Sequence, residues 1–244
     1  MAWLCGCIGS VERELRLTQY AIEKANTEAS TRLRNAQKYY RAKNFLEAAL
    51  TARAGLHAWP DDGALVTDEL KAELGYTLAA SLLFEGEHED AIVEGNKVRE
   101  LTTDNYTIQV LNAVTLAETL RRLKRAEEAR EMGEVALKRI KQHNQELAVR
   151  EIERSGRPVK FSGAHADVAL EPTTRITEEI CAYLHVIVAE GYMKDRDYLK
   201  ASSILRDGLK REDKIEEDTR AMLYKLLAQS LHLIEADSSF LDHF

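Results

Sequence analysis

The chain has 244 residues, of which 45% are hydrophobic and 31% are charged. These proportions are typical of a soluble globular protein and exclude a wholly disordered chain. The 41 acidic and 34 basic residues leave a net charge of −7, which would repel the phosphate backbone of a nucleic acid. The sequence contains only three prolines, so long helices can run without interruption between them.

The three cysteines, Cys5, Cys7 and Cys181, are an odd number and too few to form a disulfide framework. This small, odd number of cysteines favours a reducing compartment. We therefore expect a cytoplasmic protein, with a location at the membrane periphery or in a cytoskeletal assembly left open. No apolar run approaches the ~20 residues that a membrane-spanning helix requires.

The first nine residues form an apolar N-terminal tail, residues 1–9, which contains Cys5 and Cys7. One interpretation is acylation of both cysteines, which would tether the protein to a membrane. N-myristoylation is excluded because residue 2 is alanine instead of glycine, and stable anchoring usually requires two signals. The other interpretation is a tail that is frayed or buried by a partner.

From residue 10 onward, apolar residues recur at the spacing of an amphipathic helix. A first long helical stretch ends near Tyr40. Asn44 and Glu47 then have the spacing of a capping box, which predicts the start of a second helix. This helix ends before Pro60, so the unit is a helical hairpin.

The same hairpin occurs four times, each time with a small residue in the first helix and an alanine twelve positions later in the second. The pairs are Ala36 and Ala48, Ala79 and Ala91, Ala117 and Ala129, and Ala189 and Ala201. Antiparallel helices about 8–10 Å apart require small residues where their backbones approach. The second helices also contain Gly55, Gly95, Gly133 and Gly208. Each of these glycines costs about 1 kcal/mol of helix propensity, which indicates close packing at these positions.

These copies predict a single superhelical domain over residues 10–244. Its hairpins would cover about 29–60, 66–102, 106–154 and 174–213, followed by a capping helix at 216–236. Residues 155–173 have no helical period and contain two prolines, which predicts a long loop. The apolar residues of this loop could pack against the helices or bind a partner.

The repeated hairpin resembles the tetratricopeptide repeat, a helix-turn-helix unit of about 34 residues, over approximately residues 29–244. The resemblance implies an all-α fold, a right-handed solenoid of helix-turn-helix hairpins with a C-terminal capping helix. It also implies a non-catalytic protein–protein interaction module that acts as an adaptor, a scaffold or a structural subunit of a larger complex. In that family the first helix of each hairpin lines a concave groove, which binds a partner peptide or helix.

Transferring the register of the family to this sequence places the groove side chains one and four positions after each packing alanine and two or three positions before it. The partner-binding residues implied in this way are Leu33, Arg34, Gln37, Tyr40, Tyr76, Thr77, Thr115, Glu118, Arg121, Val186, Glu190 and Lys225. For Val186, Ile187 and Leu226 the alternative is that the capping helix or the long loop packs against them. A groove of this mixed composition suits a peptide with apolar anchors and an acidic residue near Arg34 or Arg121.

The sequence has no glycine-rich phosphate loop, no Cys-x-x-Cys pair and no nucleophile elbow. His88 and Glu89 begin like a zinc-protease helix, but the second histidine is missing. We therefore expect no enzymatic activity, cofactor, metal site or small-molecule substrate. The alternatives to groove binding are a membrane-tethered adaptor acylated at Cys5 and Cys7 and an RNA-binding helical repeat. The RNA-binding alternative would require a longer basic stripe than the one at residues 121–125.

Overall fold

The computed structural model describes the backbone of residues 2–57, 65–101, 105–155 and 178–241. Side chains are described for residues 16–57, 65–101, 105–146, 178–210 and 212–236. Every regular element in these ranges is a helix, which confirms the predicted all-α class. Apart from Ser155, the predicted loop at 155–173 lies outside the described residues.

The chain divides into two compact units, residues 1–108 and 109–244. The first unit contains α1 (Ala2–Arg41), α2 (Phe45–His57), α3 (Asp68–Glu85) and α4 (His88–Glu100). Each helix packs against the next, and α1 also packs against α3. The core of this unit includes Ala29 and Leu33 of α1 and Leu74 and Leu78 of α3. Helix α1 includes the backbone of the predicted apolar tail from Ala2 onward.

The second unit contains α5 from residue 109 onward and the helices that follow it. In chain order the helices are α5 (Tyr106–Arg122), α6 (Ala126–Ser155), α7 (Glu178–Lys194), α8 (Tyr198–Gly208), a short 3-10 helix (Leu209–Lys214) and α9 (Glu217–Leu241). Helix α7 packs against α6, α8 and α9, and α8 also packs against α9. Val186, Val188, Leu205 and Leu223 form part of the core.

The four turns that follow α1, α3, α5 and α7 share one backbone geometry. Each has a left-handed residue seven positions after the packing alanine of the preceding helix. These residues are Lys43, Gly86, Lys124 and Arg196, with φ values of 59°, 87°, 61° and 62°. The next residue in each turn donates its backbone N–H to a carbonyl five positions earlier, at 2.9 or 3.0 Å. This hydrogen bond is characteristic of a Schellman turn, so the register of the four copies is repeated in their turns.

Small residues lie where neighbouring helices approach most closely. All eight alanines of the predicted pairs are buried, which confirms their predicted packing role. A Cβ atom added to Gly55 would lie 2.9 Å from Leu74 Cδ2, and one added to Gly133 would lie 2.7 Å from Val188 Cγ2. These two glycines therefore allow the second helix of one hairpin to contact the first helix of the next.

Candidate protein-interaction surface

Three of the predicted groove residues meet in the second unit around a buried carboxylate. Glu118 of α5 is 7% exposed. Its carboxylate accepts hydrogen bonds from Arg121 Nε at 2.7 Å and Nη2 at 3.1 Å, and from Arg122 Nε at 2.7 Å. The Tyr183 hydroxyl of α7 donates a fourth hydrogen bond at 2.6 Å. We call Glu118, Arg121, Arg122, Tyr183 and Glu190 the Glu118 network.

Helical spacing explains how each helix contributes to this network. Arg121 and Arg122 follow Glu118 by three and four positions, so the three side chains lie on one face of α5. Tyr183 and Glu190 are seven positions apart, which places them about two turns apart on one face of α7. The network therefore connects the first helices of two successive hairpins.

The electrostatics of the network keep its buried carboxylate ionised at neutral pH. Burial would raise the pKa of Glu118, but the hydrogen bonds from Arg121, Tyr183 and Arg122 outweigh this effect and lower it. Burial and the hydrogen bond to Glu118 raise the pKa of Tyr183 to about 12. Tyr183 therefore remains protonated and can donate its hydrogen bond over the physiological pH range.

The outer side of the network is accessible. The side chains of Arg121 and Glu190 are both 34% exposed, and Arg121 Nη1 lies 3.6 Å from Glu190 Oε2. At this distance the two groups form an ion pair without a close hydrogen bond. Burial raises the pKa of Glu190, although Arg121 acts in the opposite direction. The network thus has a buried anchor in Glu118 and a polar edge that a partner can reach.

The first unit has an aromatic cluster near the end of its first hairpin, formed by Tyr40, Phe45 and Phe84. The rings of Phe45 and Phe84 stack with centroids 4.6 Å apart, and Tyr40 contacts both rings edge to face at 5.4 and 6.0 Å. Phe84 is 49% exposed. Burial raises the pKa of Tyr76, a second predicted groove residue, and Tyr40 contributes to this shift.

The other predicted groove residues differ in their accessibility. Arg34 and Lys225 are exposed, and Gln37 is half-buried. The remaining four residues, Leu33, Thr77, Thr115 and Val186, are buried, with exposures of 6, 4, 7 and 0%.

Burial removes these four side chains from the accessible surface. Leu33 and Val186 belong to the hydrophobic cores of their units. Thr77 and Thr115 donate their hydroxyls to backbone carbonyls four residues earlier in their own helices. For Val186, and for Ile187 at 1% exposure, the structure supports the alternative of internal packing.

Sequence reasoning missed Tyr183 and Phe84, because neither lies at one of the register positions assigned to the groove. Tyr183 could have been found from its spacing, since it precedes Glu190 by seven residues, or about two helical turns. Phe84 follows Ala79 by five positions, and its role depends on the stacking with Phe45. No sequence spacing indicates that contact.

The predicted lipidation sites, Cys5 and Cys7, are residues of α1, and the structure does not describe their side chains. Among the described residues, no group of His, Cys, Asp and Glu side chains could hold a metal ion. Within the same part of the chain, no helix has both the length and the apolar character needed to cross a membrane.

No family model matches the chain, and no curated protein matches it either. Function is therefore inferred from the helices and from the side chains that they bring together.

Proposed function

We propose that this protein is a non-catalytic protein–protein interaction module of the cytoplasm, an adaptor or a structural subunit of a larger complex. It binds a partner peptide or helix along the first helices of its hairpins. In this proposal the hairpins resemble tetratricopeptide repeats and stack as a right-handed solenoid with α9 as the C-terminal cap. The observation that carries the proposal is the Glu118 network, which joins predicted groove residues of α5 and α7 and leaves Arg121 and Glu190 accessible.

The helix contacts within each unit support this arrangement. In the first unit the first helices of successive hairpins, α1 and α3, pack against each other, and in the second unit the first helix α7 packs against the capping helix α9. Stacked hairpins of repeat proteins make contacts of this kind, and their adjacent first helices form an extended binding surface.

The accessible side chains determine which partner the surface suits. Arginine and tyrosine are enriched among the residues that dominate binding at protein interfaces. Arg121 can pair with an acidic residue of the partner, because its outer side makes only the longer contact with Glu190. The exposed part of Phe84 in the aromatic cluster offers a contact for an apolar anchor. We therefore expect a peptide or helix that carries both acidic and apolar residues.

Charge reversal on the first helices tests the proposal. Arg34 and Lys225 are exposed on α1 and α9, so Arg34→Glu with Lys225→Glu should weaken the capture of an acidic partner from native cells about tenfold or more. Thermal melting followed by circular dichroism should remain unchanged. Arg121 is unsuitable for this test, since a glutamate there would add a third carboxylate beside Glu118 and Glu190 and disrupt the network.

The matched control reverses two exposed lysines of second helices, Lys97→Glu on α4 with Lys138→Glu on α6. It has the same change in net charge, so it separates the effect of position from that of overall charge. Capture should persist in this control. Equal losses in both variants, or no loss in the first-helix variant, would contradict binding along the first helices.

A further inference from the structure

The turns that follow α5 and α7, at residues 123–125 and 195–197, lie side by side at one edge of the second unit. Lys194 Nζ, at the end of α7, lies 3.4 Å from the backbone oxygen of Lys124. Arg130 of α6 forms an ion pair with Asp195. Both contacts cross from one hairpin to the next, so they hold the two turns next to each other.

The turns of the second unit carry more positive charge than the turns of the first. The segment from three to nine positions after the packing alanine has four basic and no acidic residues at 120–126, and two of each at 192–198. In the first unit the same segment has two basic residues at 39–45 and two acidic residues at 82–88. With histidine counted as neutral, the two turn segments together have a net charge of +4 in the second unit and 0 in the first.

Three acidic side chains at this edge are already engaged within the fold. Asp195 is paired with Arg130. Asp197 accepts a hydrogen bond at 3.1 Å from a backbone N–H in the first turn of α8, and Glu128 accepts two hydrogen bonds from Arg125. These carboxylates therefore do not neutralise the other basic side chains of the two turns.

Lys124, Lys194 and Arg196 are the accessible cations of the two turns, and we call them the basic edge. All three are exposed. Among the described residues, the side chains of Lys124 and Arg196 have no ion pair or hydrogen bond, and Lys194 has only its contact with the Lys124 carbonyl. The turn itself does not require a charge, because Gly86 has the same left-handed conformation in the second hairpin. The basic edge is therefore available to an anionic ligand.

The number of free cations and the charge of the whole chain favour a short anionic ligand. Nucleic-acid binding typically neutralises about six to ten phosphates, and basic clusters that bind anionic lipids contain about four to eight lysines and arginines. The basic edge has three such residues on a chain with a net charge of −7, which repels extended polyanions. Small groups of basic residues are instead used to recognise acidic motifs of proteins.

We propose that the basic edge binds a short acidic segment of a partner protein, whose carboxylates pair with Lys124, Lys194 and Arg196. Lys124 and Arg196 occupy the same position in their turns, and successive packed helices are about 8–10 Å apart. An extended segment spans this distance in about three residues, so it needs acidic residues at about that spacing. This contact does not depend on a partner along the first helices of the hairpins.

Fluorescence anisotropy of a labelled decaglutamate peptide with the full chain tests this proposal. In about 0.1 M salt the Debye length of about 10 Å screens the distant acidic residues of the chain, and the native chain should bind the peptide. Lys124→Asn with Arg196→Asn should weaken binding about fivefold or more, because two exposed ion pairs are lost. Asparagine tolerates the left-handed conformation, so the fold should persist.

The matched control is Arg41→Gln with Lys43→Asn, which also removes two exposed cations from a turn. Lys43 has the same left-handed conformation as Lys124, but it belongs to the first unit, where the turns have no net charge. The control should bind the peptide as tightly as the native chain. No binding by the native chain, or equal losses in the two variants, would overturn the proposal.

Lys194→Gln still decides the question if the double variant fails to fold, because it leaves both left-handed residues in place. It should weaken peptide binding about twofold, whereas Arg41→Gln, at the equivalent position of the first hairpin, should have no effect. The same assay with decauridylate RNA and with phosphatidylserine vesicles compares the classes of ligand. Both should bind more weakly than decaglutamate. Tighter binding of either one, or an unchanged affinity of Lys194→Gln for the peptide, would overturn an acidic protein segment as the ligand.

Discussion

Replacing Glu118 with alanine is expected to lower the free energy of unfolding of the second unit by about 1–3 kcal/mol. Removal of one partner from a buried ion pair leaves the remaining charges without compensation, which costs about 3–5 kcal/mol when they are fully buried. We expect a loss below this range, because the side chains of Arg121 and Arg122 are 34% and 40% exposed and Arg121 keeps its ion pair with Glu190. Urea denaturation followed by circular dichroism measures the change.

Glu128→Ala is the matched control, since it removes a glutamate from an exposed pair on the neighbouring helix. Glu128 accepts two hydrogen bonds from Arg125, but exposed pairs of this kind contribute little to stability. No measurable change in unfolding is expected for the control. Similar, small effects of both substitutions would show that the Glu118 network does not hold α5 against α7.

The comparison of the native chain with Glu118→Ala also predicts how the stability depends on pH under acidic conditions. The pKa of Glu118 is lowered in the folded state from an ordinary value of 4.5, so the unfolded chain binds more protons there. Its contribution to stability is fully present above about pH 4.5 and is lost as the pH falls through the lowered folded-state pKa. Glu190 acts in the opposite direction, because burial raises its pKa. The measurement therefore uses chains that carry Glu190→Gln. It compares the stability of the Glu190→Gln variant with that of the Glu118→Ala, Glu190→Gln double variant as the pH falls.

Tyr183 predicts a loss of stability at alkaline pH. Its pKa is raised from 10.0 to about 12 in the folded state, so the folded chain retains the proton to a higher pH. The stabilisation is present below pH 10 and is lost as the pH rises toward 12. Tyr183→Phe should remove this alkaline limb, which unfolding measured at increasing pH would detect.

Gly191→Ala is expected to destabilise the second unit by about 1–3 kcal/mol. A Cβ atom at Gly191 would lie 2.6 Å from Arg130 Cβ and 3.2 Å from the backbone oxygen of Ala126. Neither atom can move away by a simple side-chain rotation, so α6 and α7 would have to separate. This cost exceeds the gain of about 1 kcal/mol in helix propensity that alanine brings.

Ser203→Ala provides the control for propensity, because Ser203 is exposed on α8 and its replacement creates no clash. Its melting temperature should stay unchanged or rise slightly. A Gly191→Ala variant that is as stable as the native chain would show that α6 and α7 do not approach as closely as the structure indicates.

The repeat register was predictable from sequence because close packing restricts certain positions to small residues. Ala36 and Ala48, for example, are both fully buried, and the turns fall at the same distance from each such alanine. These features depend on local geometry and on one repeated contact. A pattern of residue types is sufficient to find them.

Accessibility was less predictable, because it depends on how many helices surround a position. Arg34 and Ile187 occupy the same register position, two residues before the packing alanine. Arg34 of α1 is exposed, whereas Ile187 of α7 is buried. Helix α7 packs against α6, α8 and α9, so more of its circumference is covered. Register alone does not contain this information.

The chemistry of the candidate surface was predictable only in part. Glu118, Arg121 and Glu190 were each expected at the groove, but their mutual hydrogen bonds and ion pairs require the distance between α5 and α7. The sequence therefore assigned these three residues to the predicted groove, but it did not indicate that Arg121 is already paired. This pairing makes Arg121 part of an ordered network and leaves only its outer side accessible.

Site-specific photo-crosslinking tests the central claim, partner binding along the first helices, most directly. A photoreactive residue would replace Arg34 on the first helix α1 or Lys225 on the capping helix α9 and, as controls, Leu50 or Leu199 on α2 and α8. Both leucines are well exposed, at 50% and 70%. Irradiation of the native complex should crosslink the partner at positions 34 and 225 and leave 50 and 199 unmodified. Crosslinks confined to positions 50 and 199, or absent from all four, would contradict the proposed binding surface.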